Sequence, residues 1–497
     1  MKLKISVFAL FIIFSFSLCF AEEAIIIFDQ EKGPVNKNIF GVNLTGYDPG
    51  SYKRMKTGYA GHSNFGSGIW DPDAKAPARE AMSLIRKAGA TVLRFPGGCG
   101  AHHYNWKDTI DKKRNSFLYG LNEFLFTCKE LNAVTVITLS EFEGDENDVR
   151  NLARYVKSYF KGYSAQPIFF EVGNETWHGD HRFIRSVSPA WYAQKYLRYY
   201  NAVKSAEPDI QVGVVLGEDK WNNRVLSLIK EKCDFGSLHF YAKCWLDNKE
   251  IRAAAPEEAF RETFIVLAAK QKRLNQVSGQ LERSAGRKIP LAVTEFNSLF
   301  PGHKSIPFRH TLGSALLNAE LISFFLNPQN NVSFSTYWQY CNSYMGMVAN
   351  GFDGTAKTLL NKYYKRPNFY VFNLYKEHFG QILLKSEVSS SDGFASKKGL
   401  VHYLSVTASK DKKNKKIYLM VINKRMDKPV TANIYLKNFP NKNKCDAWVL
   451  NGPGIEATNE MDHDNVKVTR KRLRIDGSPF TFTFEPHSVT AIEIRKE

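Results

Sequence analysis

The apolar and polar positions of this chain fall into a repeating two-part pattern. Short apolar runs rich in β-branched and aromatic residues recur at Ile39–Leu44, Thr91–Pro96, Thr135–Ser140, Ile168–Asn174, Gln211–Gly217, Phe235–Tyr241, Pro290–Asn297 and Phe334–Tyr340. Runs of this length, bounded by turn residues, predict buried strands. Between them lie stretches with apolar residues every three or four positions, such as Ala78–Ala88 and Trp191–Ala206. Those predict amphipathic helices. Eight strands alternating with helices over about 300 residues predict an α/β fold, a (β/α)8 TIM barrel. A doubly wound sheet would show the same alternation, but the glycine-rich phosphate turn it needs is missing.

Past Gly380 the helical spacing disappears. Lys416–Asn423, Val430–Leu436, Cys445–Leu450 and Ser488–Ile494 read as strands separated by turns. They predict a C-terminal antiparallel β-sandwich. Glu23–Phe28 is an isolated strand-like run ahead of the barrel, placed to pair into that sandwich. The expected division is a signal peptide over 1–21, an N-terminal strand segment over 22–36, the barrel over 37–379 and the sandwich over 380–497.

The leader is read from Lys2 and Lys4 followed by the apolar run Ile5–Phe20, the pattern of a secretory signal cleaved after Ala21. A retained anchor and lipidation at Cys19 are the alternatives, and the bulky Leu18 before Cys19 disfavours the second. The expected location is secreted or periplasmic, with no membrane span in the mature chain. Beyond the leader, Cys99, Cys128, Cys233, Cys244, Cys341 and Cys445 are too sparse and irregular for a disulfide scaffold or a zinc site. Cys233 and Cys244 are the nearest couple for pairing in an oxidising compartment. No metal and no organic cofactor is expected.

Composition changes this picture little. Of 497 residues, 43% are apolar and 24% charged, a globular balance that excludes wholesale disorder. The net charge of +19 suits an acidic polysaccharide, an anionic membrane or a nucleic acid. The basic residues are nevertheless spread along the chain, as on a solvated surface. Their densest run, Lys410–Lys416, falls between two predicted strands and reads as a hairpin turn. No nucleic-acid motif accompanies it, so no nucleic-acid partner is expected.

The candidate chemistry lies at strand ends. Glu175 follows the fourth strand in Gly173-Asn174-Glu175, and Glu295 closes the seventh in Val293-Thr294-Glu295-Phe296-Asn297. In a barrel both ends face one mouth, where active sites form. Retaining cleavage of a glycosidic bond needs such a pair about 5–5.5 Å apart, one carboxyl protonated and the other ionised.

Further segments narrow the reading. Ser67-Gly68-Ile69-Trp70-Asp71-Pro72, Arg94-Phe95-Pro96-Gly97-Gly98-Cys99, Tyr104-Asn105-Trp106-Lys107-Asp108, Leu238-His239-Phe240-Tyr241 and Pro486-His487-Ser488-Val489-Thr490 occur in this order around the two glutamates. Together they resemble the clan A glycoside hydrolases, and most of all glycoside hydrolase family 51, whose members are mostly α-L-arabinofuranosidases. The resemblance spans both domains. It implies a retaining glycoside hydrolase acting on polysaccharide or oligosaccharide, with Glu175 as acid/base and Glu295 as nucleophile.

The same resemblance implies supporting roles. Asn174 would hydrogen-bond the sugar 2-hydroxyl, and Arg94 would hold the nucleophile ionised and oriented. His239 and Tyr241 would line the sugar site, Tyr241 donating to Glu295. Trp338 would form a platform under a sugar ring. Cys99 stands where the family often carries Asn or Cys and is a candidate sugar contact. Trp177 and His178 follow the acid/base on a loop, toward the leaving-group side. An oligomer is compatible with the resemblance. Glu171, three residues before Asn174, falls by strand parity on the opposite face and receives no role. At the first strand many arabinofuranosidases carry a Glu shortly after the aromatic-Gly pair. Here the order is Phe40-Gly41-Val42-Asn43-Leu44-Thr45, which makes the amide of Asn43 the candidate sugar contact. A non-catalytic carbohydrate-binding protein, or an interaction protein on the same scaffold, would need no carboxylate pair.

Overall fold

The computed structural model describes residues 23–45, 68–71, 74–110, 119–163, 166–178, 187–243, 255–299, 308–341, 345–350, 363–396, 399–439, 441–475 and 477–496. The leader read over 1–21 lies outside them, as do Ser67 and Pro72.

After a first strand, Ala24–Pro34 (β1), eight parallel strands close into a barrel. They are Gly41–Asn43 (β2), Val92–Phe95 (β3), Val134–Leu139 (β4), Ile168–Val172 (β5), Gln211–Val215 (β6), Phe235–Lys243 (β7), Leu291–Leu299 (β8) and Val332–Tyr337 (β9). Each comes from one of the eight predicted runs, and β9 pairs back to β2. Eight helices accompany them among the described residues: Arg79–Ala88 (α1), Leu121–Leu131 (α2), Glu146–Tyr159 (α3), Pro189–Ala206 (α4), Asp219–Ile229 (α5), Pro256–Ala285 (α6), Leu312–Leu326 (α7) and Pro367–Glu377 (α8). In α1 the buried residues Ala81, Met82, Leu84, Ile85 and Ala88 form the stripe expected of a helix laid on a sheet. Gly89 ends it in the left-handed conformation, its amide donating back to Ile85 and Arg86.

Strand alternation sorts the barrel interior into two layers. Val92, Val134, Val136, Phe169, Phe235, Ala292 and Phe334 pack together toward the N-terminal ends, with the Phe169 and Phe334 rings 4.8 Å apart. Two residues further along the same strands, the period of two brings Arg94, Thr138, Glu171, Ser237, Thr294 and Thr336 to the interior. An apolar plug thus underlies a polar layer at the end where barrel sites form.

Most of the chain after α8 forms a nine-stranded sheet that also takes in β1. Its other strands are Ile382–Ser389 (β10), Leu404–Lys410 (β11), Lys416–Asn423 (β12), Val430–Lys437 (β13), Asn441–Asn451 (β14), Lys467–Arg474 (β15), Phe480–Phe484 (β16) and Ser488–Lys496 (β17). The order is β15-β14-β17-β12-β11-β10-β1-β13-β16. Every pair is antiparallel except β1 with β13. That exception has a simple cause: β1 enters from before the barrel, so no hairpin fixes its direction against β13. The basic run at 410–416 is the turn of the β11–β12 hairpin, as its composition predicts.

Two cores meet along β12. Ile417, Leu419 and Val421 join the core of the sheet, while Tyr418, Met420 and Ile422 join the core of the barrel. A strand buried on both faces reads as one unbroken apolar run. Helix α7, buried nearly all round, fills the space between the two domains. Its first amides are satisfied from the sheet side, Leu312 by the Ala457 carbonyl at 2.9 Å and Gly313 by the Ile455 carbonyl at 2.7 Å. Cys99, Cys128, Cys233, Cys341 and Cys445 are free thiols, and Cys244 lies outside the described residues. No helix among the described residues is long and apolar enough to cross a membrane.

The interface also holds an ion pair. Arg366, just before α8, donates from Nε to Glu460 Oε1 at 2.6 Å and from Nη2 to Oε2 at 3.1 Å, and the Tyr364 hydroxyl donates to Oε2 at 2.9 Å. Burial pushes the Glu460 carboxyl up, but Arg366 outweighs it and holds the group down at about 2. A depressed carboxyl stabilises the fold above its unfolded value of about 4.5, and that stability is lost as pH falls toward 2. The expected loss is on the order of 3 kcal/mol. Urea unfolding of wild type and Glu460→Gln from pH 7 to pH 3 checks this. The gap between the two proteins should shrink below pH 4.5.

Candidate active site

One buried cation organises the polar layer. Arg94 on β3 is fully buried, and its guanidinium makes four hydrogen bonds. Nε donates to Glu171 Oε2 at 2.7 Å, Nη1 to Asn43 Oδ1 at 2.9 Å and to Glu295 Oε1 at 3.1 Å, and Nη2 to Asn174 Oδ1 at 2.8 Å. Burial works against the charge, but Glu171 and Glu295 outweigh it and hold the guanidinium protonated.

Glu171 is the second buried ion. Its Oε2 also accepts from Thr138 at 3.1 Å, and its Oε1 accepts from Thr294 at 2.7 Å and from the Ser237 hydroxyl. Burial pushes its carboxyl up; Arg94 first and His239 second bring it below the ordinary range. The expectation that Glu171 faces away from the site is therefore corrected. Parity counted back from Asn174 fails because β5 ends at Val172 and Gly173 follows at φ +89°. That left-handed residue breaks the alternation and returns Asn174 to the same interior as Glu171. A Cβ at residue 173 would overlap the Thr176 hydroxyl, so glycine is required there twice over.

A second irregularity places Glu295. Thr294 and Glu295 are consecutive, yet both reach inward, Thr294 to Glu171 and Glu295 to Arg94. The pairing of β8 shifts register after Val293 against both neighbouring strands, a bulge that aims two successive side chains to one side.

The two glutamates meet at His239. Its Nδ1 lies 2.9 Å from Glu175 Oε1 and 3.4 Å from Glu295 Oε2. The two carboxylates thus face one small space, as a pair acting on one glycosidic bond must. Burial pushes the imidazole down, but Glu295 and Glu175 outweigh it and raise its proton affinity. Tyr241 donates its hydroxyl to Glu295 Oε2 at 2.6 Å. Glu295 therefore has one oxygen tied to buried Arg94 and the other turned toward Glu175. Glu175 itself adopts a left-handed backbone at φ +48°.

The remaining candidates separate. Asn43 faces inward, but its amide group donates to carbonyls of Thr294 and Thr336 at 2.9 and 3.2 Å while its oxygen accepts from Arg94. It is committed to the barrel beneath the site rather than turned to a ligand. Trp338 packs its ring on Gly97 and Gly98, where an added Cβ would fall 2.5 or 2.6 Å from the indole. Cys99 is half-buried in the turn Gly98–His103, against His102. Trp177 packs on Gly217, and His178 closes the same short turn.

Several residues escaped the sequence reading: Glu171, Thr138, Ser237, Thr294, and a cluster of His102, Glu141 and Thr176. A signal for the first existed. A glutamate inside the apolar strand Ile-Phe-Phe-Glu-Val is rarely buried without a partner, and Arg94 was the available cation.

Comparison with known proteins bears on the fold and the family resemblance. The family model for the α-L-arabinofuranosidase C-terminal domain matches residues 294–488. An intracellular exo-α-L-arabinofuranosidase of Bacteroides ovatus is 21% identical, with all of both chains covered. An intracellular exo-α-(1→5)-L-arabinofuranosidase of Bacillus subtilis (strain 168) is 22% identical over 96% of this chain and all of the relative. The crystal structure of the GH51 arabinofuranosidase from Xanthomonas axonopodis pv. citri superposes with a TM-score of 0.77 at 18% identity, covering 95% of this chain and all of that one. These findings bear out the resemblance to family 51 and the barrel-plus-sheet fold. They overturn the expected export: both curated relatives are named intracellular, so the secreted or periplasmic reading is withdrawn. An apolar run behind two lysines reports hydropathy alone, which a secretory signal shares with other apolar segments.

The buried pair gives a direct test. Glu171→Gln keeps the shape but leaves Arg94 short of one counter-charge in a dry site. Breaking a buried pair from one side costs about 3–5 kcal/mol. Urea unfolding should show a clear fall in midpoint for Glu171→Gln. Glu387→Gln, which breaks the exposed Lys385–Glu387 pair, should leave the midpoint unchanged.

Proposed function

We propose that this chain is a retaining, exo-acting α-L-arabinofuranosidase in which Glu295 is the nucleophile and Glu175 the acid/base. One observation carries the reading: the two carboxylates converge on a single imidazole nitrogen at the mouth of the barrel. The activity named for the two curated relatives supports the sugar and the terminal attack.

The geometry supports a double-displacement reading. Glu295 Oε1 is anchored by Arg94, which leaves Oε2, facing Glu175, to attack the anomeric carbon. Glu175 gives its proton to the departing oxygen, and a covalent glycosyl-enzyme forms on Glu295. Glu175, now a base, takes a proton from water as the ester is cleaved. Asn174, held by Arg94, presents its amide to the 2-hydroxyl. Tyr241 steadies Glu295 from the mouth side, and Trp338 forms part of the wall. The substrate is a carbohydrate carrying terminal arabinofuranosyl groups.

Hydrolysis of 4-nitrophenyl α-L-arabinofuranoside beside a panel of other aryl glycosides tests this. Glu295→Ala should lose on the order of 10³-fold or more in kcat/KM. Glu175→Ala should lose far more on glycosides with poor leaving groups, and azide should restore its turnover of activated ones. Proton NMR of the first-formed sugar should show retention. A Glu295→Ala protein with wild-type activity, or an inverted product, would contradict the mechanism.

A further inference from the structure

Behind the acid/base loop lies a buried polar cluster that the proposed chemistry does not use. Glu141, on the turn after β4, and His102, in the turn after β3, are both fully buried. His102 Nδ1 lies 2.8 Å from Glu141 Oε1. Burial pushes the imidazole down, but Glu141 outweighs it, with help from the adjacent Cys99, and raises it to about 10. The short contact is therefore a hydrogen bond from His102 Nδ1 to Glu141 Oε1. Ser140 ties the two turns together by donating its hydroxyl to the His102 carbonyl and accepting from the Glu143 amide at 2.8 Å.

The same Glu141 oxygen accepts a second hydrogen bond, from the buried Thr176 hydroxyl, at 2.7 Å. Thr176 directly follows Glu175. The backbone there is under constraint: Gly173 and Glu175 both have positive φ, +89° and +48°. A left-handed non-glycine residue costs on the order of 1 kcal/mol or more and persists where its surroundings hold it. The Gly173 amide is fastened to the Leu139 carbonyl at 2.8 Å on one side of the turn. Thr176 is fastened to Glu141 on the other.

We propose that Glu141, held by His102, is a positioning residue that acts through Thr176 to fix the left-handed backbone of Glu175 and so aim its proton at the leaving-group oxygen. The inference rests on the reading of Glu175 as acid/base. The cluster is fully buried and acts on direction, and misplacement by about 1 Å is enough to lose a large part of a positioned group's advantage.

Aryl α-L-arabinofuranosides that differ only in leaving-group acidity, dinitrophenyl against phenyl, provide the test. kcat/KM reports the step in which the leaving group departs, and only the phenyl glycoside needs proton donation. Thr176→Val should lose about 10–100-fold on the phenyl glycoside and stay within about 3-fold on the dinitrophenyl one. Thr176→Ser should recover the phenyl activity, and Glu141→Gln should follow Thr176→Val in sense. Equal loss on both substrates, or no loss on the phenyl glycoside, overturns the proposal. Glu175→Ala serves as the reference. If it too loses both activities equally, the acid/base reading fails and the inference with it; a normal reference with an indifferent Thr176→Val sinks the inference alone.

Discussion

A guanidinium with no access to water sets the terms for the rest of this site. Arg94 is fully buried, so its donors and its charge must be met inside the barrel. Glu171 and Glu295 supply the charge, and Asn43 and Asn174 take the remaining bonds. Three strands are thereby tied to one side chain on a fourth, β3: β2 through Asn43, β8 through Glu295, and β5 with its following turn through Glu171 and Asn174. The cation is expensive to bury, and that cost makes its neighbours mutually dependent. Glu171 is ionised because Arg94 is there, and Ser237, Thr138 and Thr294 are polar because Glu171 is.

The polar layer in turn needs a dry floor. Phe169, Phe235 and Phe334 supply it two residues earlier on the strands that carry Glu171, Ser237 and Thr336. Low dielectric beneath and around the ions strengthens every interaction within the layer. Regular alternation carries this two-layer arrangement up the barrel. The reactive groups appear where alternation stops: Glu295 after a bulge and Glu175 after a left-handed glycine. Regular strands build the support, and two backbone irregularities aim the carboxylates.

That division explains what the amino-acid order made legible. Periodicity located all eight barrel strands, because buried strands are apolar runs and the helices between them carry a stripe. The glutamate pair was legible because its members sit at strand ends in company that resembles a family. Glu171 was misread for the reason that makes the site work: counting parity through Gly173 assumes an extended backbone, and φ there is +89°. The direction of β1 against β13 was equally hidden, since periodicity assigns a strand but not its neighbour. Glu141, His102 and Thr176 lie on turns, where neither period applies and only three-dimensional proximity reveals the link. The apolar leader shows the limit from the other side: hydropathy is legible, destination is not.

The charges explain why one imidazole is shared by the two glutamates. In the proposed resting enzyme, Arg94 and His239 carry positive charge, Glu171 and Glu295 negative charge, and Glu175 its proton, so the site is neutral. At the oxocarbenium-like transition state the sugar gains positive charge as Glu175 gives its proton away and becomes negative. In the glycosyl-enzyme the ester removes the charge of Glu295 while Glu175 remains ionised. The sum stays at zero throughout, with the His102–Glu141 pair neutral alongside. A largely buried site gains from such constancy, because uncompensated charge in low dielectric is costly and fixed partners need no reorganisation during the reaction. The balance requires His239 to stay protonated. Its placement beside Glu295, which raises its proton affinity against burial, favours that state.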